Sequence, residues 1–183
     1  MPVTLDQLRA IMPAAKQARP GIYLDPLNQA MEEFSIITNR RMAAFLAQLA
    51  HESGELRYVL ELASGAAYDT GRLAGILGNT PQADGDGQRY KGRGLIQITG
   101  RDNYRACSLA LFGDENILIE TPALLETPIP AARSAAWFWW SRGLNALADQ
   151  PNSFQTITRR INGKLNGYAA RVMYFERAKK VLE

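Results

Sequence analysis

The chain has 183 residues, 21 Lys plus Arg against 18 Asp plus Glu, and a net charge of +3. At 46% hydrophobic and 21% charged residues it can build one sizeable core, which excludes disordered and fibrous classes, and its length fits one domain over 1–183. The charge is too small for a polyelectrolyte binder of nucleic acid but suits an anionic polymer.

Thr4-Leu5-Asp6-Gln7 reads as a capping box before the apolar stripe Leu5, Leu8, Ile11, Met12, so a first helix should run to about Pro13. Asp25-Pro26 places an acid before a proline and predicts the start of a second helix, with Leu27, Ala30, Met31 and Phe34 on one face. A third begins at Thr38 or Asn39 and is apolar on most faces through Ala50, as a buried helix is. Residues 63–94 carry glycines without helical periodicity and read as loop, with short strands at most. Leu95-Ile96-Gln97-Ile98-Thr99 reads as a short strand, and helices follow at about 101–111, 130–142, 152–161 and 168–183. The pattern is mainly α with a minor β element.

Cys107 is the single cysteine, which forbids an internal disulfide, and its apolar helix marks it as a buried spectator. His51 is the single histidine and sits in His51-Glu52-Ser53-Gly54-Glu55 rather than H-E-x-x-H, so neither a metal nor a cofactor is expected. Gly92-x-Gly94 lacks the third glycine and the lysine of nucleotide loops. The basic residues of 157–183 show no base-reading motif, and the helix at 168–183 is read as core packing. The aromatic run Trp137-Phe138-Trp139-Trp140 is also assigned to packing. The start lacks a basic segment followed by an apolar run, and no stretch reaches the ~18 apolar residues of a membrane span. Cytoplasmic synthesis without a signal peptide and no integral membrane segment are therefore expected.

Glu52 ends an apolar helix, where burial would favour the protonated form that a general acid needs. Hydrolysis of a glycoside requires a second carboxylate, at roughly 5–5.5 Å for retention or about 6.5–9.5 Å for inversion. Glu55 meets the first case if the helix continues, because i and i+3 are neighbours. Glu61 meets the second if the chain bends at Gly54 or at Ser64-Gly65. Residue types alone leave both open. On a strand, Gln97 and Thr99 would share one face that could line a sugar site.

The segments Phe45 to Glu61, Tyr90-Lys91-Gly92-Arg93-Gly94-Leu95-Ile96-Gln97-Ile98-Thr99-Gly100-Arg101-Asp102-Asn103-Tyr104, and Ile161-Asn162-Gly163 with Arg171 resemble glycoside hydrolase family 19. That family holds class I chitinases and phage endolysins, and the N-terminal part resembles the phage and prophage branch. The resemblance implies a lysozyme-like α+β fold with a substrate cleft between two lobes. It also implies an inverting mechanism with Glu52 as acid, Glu61 as base and Thr99 holding the water. Substrate contacts are implied at His51, Tyr90, Gln97, Asn103 and Asn162, with Arg171 organising the carboxylates.

Plant-type members carry long cleft loops and disulfides, which one cysteine and 28 residues between Glu61 and Tyr90 do not reproduce. That interval also holds no tryptophan. The expectation is a monomeric endolysin that cleaves the β-1,4 bonds of bacterial peptidoglycan at the periplasmic wall after release, with a chitinase as the alternative.

Overall fold

The computed structural model describes residues 2–15 and 18–183. Its helices are α1 (Leu5–Ile11), α2 (Ala18–Glu33), α3 (Asn39–Glu52), α4 (Gly71–Leu77), α5 (Asp86–Arg89), α6 (Arg101–Phe112), α7 (Ile117–Glu120), α8 (Pro128–Ser141), α9 (Leu144–Ala148), α10 (Phe154–Asn162) and α11 (Tyr168–Leu182). Two 3₁₀ turns cover Ala66–Tyr68 and Pro122–Glu126. Extended pairing among the described residues consists of two isolated bridges, Leu60 with Arg93 and Arg93 with Ile98. The mainly α expectation is met.

The chain divides into two compact units, one formed by the residues up to Arg57 together with Phe138–Glu183 and the other by Tyr58–Trp137.

In the first unit the Thr4 capping box is present in both directions and starts α1. The second helix differs from expectation. It begins at Ala18, and Pro26 lies inside it. Pro26 lacks the N–H that would bond the carbonyl of Ile22, but it lies on the side of the helix where Ile22 is 48% exposed, while Tyr23, Leu27, Ala30 and Met31 are buried.

Thr38 caps α3 through its side chain at the Arg41 N–H, and Met42 to Ala50 are buried without interruption. Along α3 lies α11, its most extensive partner, contributing buried Arg171, Ala178 and Leu182. The Gln7 side chain donates to the Val181 carbonyl at 3.2 Å and that of Asn39 to Leu182, which ties the end of α11 to the starts of α1 and α3. Trp139 is 2% exposed and meets Phe45 edge-on at 5.6 Å, while Trp140 lies outside beside Phe34.

In the second unit the glycine-rich stretch is folded rather than loop. It holds α4, α5 and the turn at Ala66–Tyr68. Its glycines serve backbone crossings: a Cβ at Gly65 would lie 2.5 Å from the Gly87 carbonyl, and one at Gly87 would lie 2.4 Å from the Asp69 nitrogen. The expected strand at 95–99 is a turn instead. Arg93 and Ile98 exchange backbone hydrogen bonds of 3.0 and 2.8 Å, and the four residues between them reverse the chain, with Gln97 left-handed at φ 59°. Gln97 and Thr99 therefore do not alternate along one strand face. Cys107 is fully buried in α6, and burial pushes its thiol up to about 12.

Candidate active site

Glu52 is the last residue of α3. Beyond it the chain turns sharply, with Gly54, Glu55 and Leu56 all left-handed. For the two non-glycine residues this costs about 1–2 kcal/mol each. Burial of Leu56 offsets it, as do hydrogen bonds from the Ala14 N–H at 2.6 Å and the Tyr174 hydroxyl at 2.7 Å to the Glu55 carboxylate. Glu55 is thus a buried structural group, 6% exposed. The helix that would have paired it with Glu52 has ended.

The side chain of Glu52 is 22% exposed, and its Oε1 lies 2.6 Å from Nη2 of Arg171, whose own side chain is 3% exposed. That oxygen is buried and the contact lacks hydrogen-bond geometry. Arg171 also donates through Nε to the Asn166 carbonyl at 3.2 Å and through Nη1 to Gln48. Asn162 donates to the same Asn166 carbonyl at 3.2 Å and accepts from the Lys164 N–H. His51 packs on the backbone of Gly167, where a Cβ would lie 2.2 Å from the ring and φ is +68°. Burial, and then the charge of Arg171, lower the basicity of His51. The first unit therefore gathers His51, Glu52, Arg171 and Asn162 in one connected group.

A second group forms in the other unit around Glu61. The backbone of Glu61 donates to the Gly92 carbonyl at 2.9 Å, and its carboxylate accepts in turn from the Gly92 N–H at 2.9 Å and from the Tyr68 hydroxyl at 2.9 Å. Burial and the neighbouring carboxylate raise the Tyr68 hydroxyl above its ordinary range, so it remains a donor. Gly92 has no side chain because Gln97 and Glu61 close over it: a Cβ would lie 2.7 Å from the Gln97 amide oxygen and 3.2 Å from Glu61 Oε2. Gln97 bonds the Gly94 carbonyl at 3.0 Å, the Thr99 hydroxyl bonds the Gln97 carbonyl at 3.0 Å, and exposed Asn103 bonds the Thr99 carbonyl at 2.7 Å.

Tyr90, expected at the substrate, has a buried side chain. It is 3% exposed, its ring meets Tyr104 edge-on at 5.4 Å, and its carbonyl accepts from the Gly100 N–H. It shapes the turn that carries Gln97 and Thr99.

Sequence reasoning missed Gln48, Tyr68, Thr158 and Gly167. A lone amide in an otherwise apolar helix, four residues before Glu52, was a usable signal for Gln48. Tyr68 gave none, since only the fold brings it to Glu61. Among the described residues no cluster of three His, Cys, Asp or Glu suits a metal, and no helix is long and apolar enough to cross a membrane.

Residues 31–175 match the family model for chitinase class I, glycoside hydrolase family 19. A family 19 domain-containing protein of Haemophilus influenzae is 32% identical over 173 residues, covering 80% of this chain and 82% of that protein. The endochitinase CHI of Arabidopsis thaliana is 33% identical over 134 residues, 70% of this chain and 44% of that protein, so the chain spans under half of its plant relative. Among solved structures, chitinase C of Streptomyces griseus superposes with a TM-score of 0.77 at 25% identity, over 98% of this chain and 76% of that one. The chain belongs to glycoside hydrolase family 19, and with it to the enzymes that act on O-glycosyl bonds.

Proposed function

We propose that the protein is a cell-wall lytic enzyme of the endolysin type, a muramidase that hydrolyses the β-1,4 bonds between N-acetylmuramic acid and N-acetylglucosamine with inversion. One observation carries the chemistry: the two carboxylates have opposite surroundings. Glu52 abuts a buried guanidinium, which stabilises the charge left on it once its proton passes to the leaving glycosidic oxygen. Glu61 is oriented by two neutral donors, Tyr68 and Gly92, and takes a proton from the attacking water, which the Thr99 hydroxyl helps to hold. The water adds to the anomeric carbon on the face opposite the leaving group.

The choice of polymer rests on charge and on what the 61–90 interval lacks. Peptidoglycan carries lactyl and stem-peptide carboxylates while chitin is uncharged, and this chain is net +3. No tryptophan lies between Glu61 and Tyr90 to serve as a ring platform. In this reading the enzyme works on the wall from the periplasmic side. The chitinase reading is favoured by the names of the Arabidopsis and Streptomyces relatives.

Mass spectrometry of fragments released from purified Gram-negative peptidoglycan, with chitin oligomers in parallel, separates the two. Reducing-end muramic acid from wild type, and a loss of about 10²–10⁴ in turnover with Glu52→Gln, is the expected result. Cleavage of chitin oligomers alone would establish the chitinase. Full activity of Glu52→Gln would remove Glu52 as the acid.

A further inference from the structure

Behind Glu52 lies a line of polar side chains. Gln48 sits one helical turn earlier on the same side of α3 and is 1% exposed. Its amide orientation follows from its neighbours. Arg171 has only donors to offer, so the group facing its Nη1 is the amide oxygen. Thr158 spends its hydroxyl proton on the Phe154 carbonyl at 3.1 Å, which leaves its lone pairs for the Gln48 amide nitrogen at 2.8 Å.

Arg171 is thus shared among three partners, the Asn166 carbonyl and the Gln48 amide by hydrogen bonds and the Glu52 carboxyl group by close contact, of which only the last can carry a charge. A carboxylate at position 48 would divide the guanidinium's attraction between two anions. An apolar side chain there would leave a buried donor without a partner and Arg171 free to turn away.

We infer that Gln48, anchored by Thr158, is a positioning residue: a neutral acceptor that aims Arg171 at Glu52 and reserves its charge for that carboxylate. This rests on the reading of Glu52 as the proton donor. Gln48 acts through Arg171, so its removal should affect turnover more than substrate affinity.

The test measures kcat and KM on soluble glycan fragments of whichever polymer the wild type cleaves. Gln48→Leu and Gln48→Glu should each lower kcat about tenfold or more with KM changed by less than about threefold. Thr158→Val should lower kcat about threefold or more, and Thr158→Ser, which keeps the hydroxyl, should restore it to within about twofold of wild type. Wild-type kcat in Gln48→Leu, or equal kcat in the two Thr158 variants, overturns the inference. If Gln48→Leu does not fold, the Thr158 pair decides. Glu52→Gln is measured alongside: full activity there removes the underlying reading, while an inactive Glu52→Gln beside an unaffected Gln48→Leu removes this inference alone.

Discussion

Glu52 and Glu55 stand three residues apart and serve different ends because the backbone turns left-handed between them. The Glu55 carboxylate is occupied by the Ala14 N–H and by the Tyr174 hydroxyl, whose pKa burial pushes up to about 12. Both partners are donors, and an amide has one oxygen with which to accept. Glu55→Gln should therefore cost about 1–3 kcal/mol of stability, seen as a lowered thermal midpoint, with kcat within about twofold of wild type. A collapse of kcat at unchanged stability would return Glu55 to the chemistry. Residue types alone leave Glu55 and Glu61 both open as the second carboxylate, since the deciding feature is the conformation of Gly54 to Leu56.

At the level of elements, reading succeeded where local signals and burial agree. The Thr4 box and the Thr38 cap both start helices in the structure, and the apolar run after Thr38 is the most continuously buried one. Reading failed where one local signal has two uses. Asp25-Pro26 marks a helix start in isolation, yet on a face open to water a proline is tolerated inside α2. The alternation Leu95 to Thr99 marks a strand, yet hydrogen bonds between Arg93 and Ile98 close it into a turn. Glycines at 65 and 87 suggested slack chain, whereas they permit two backbones to touch. Because α3 carries Gln48, His51 and Glu52, its cap has a global reach. Thr38→Ala should lower stability by about 1 kcal/mol, or roughly 2–4 °C in midpoint for a chain of this size. An unchanged midpoint in calorimetry would show that the cap contributes nothing to the fold.

For the molecule as a whole, the half-buried histidine links stability to pH. Burial and Arg171 lower His51 from its ordinary value, so the unfolded chain takes up this proton more readily than the folded one. Its contribution is complete above about pH 6.5 and is lost as the pH falls from there through the folded value. The thermal midpoint should therefore drop on acidification from about pH 7 to 5, and less so in His51→Gln. Equal slopes in the two proteins would show that other groups govern acid sensitivity.

The first unit is written in two pieces of sequence, with the whole second unit between them. During synthesis α3 leaves the ribosome long before α11, and Gln48 then has no Arg171 to hold. The second unit, by contrast, is continuous from Tyr58 to Trp137 and has all its residues in hand once that stretch has emerged. The order of translation thus delays assembly of the group around Glu52 until α11 is made, so a nascent chain halted before Arg171 lacks the cation that partners Glu52.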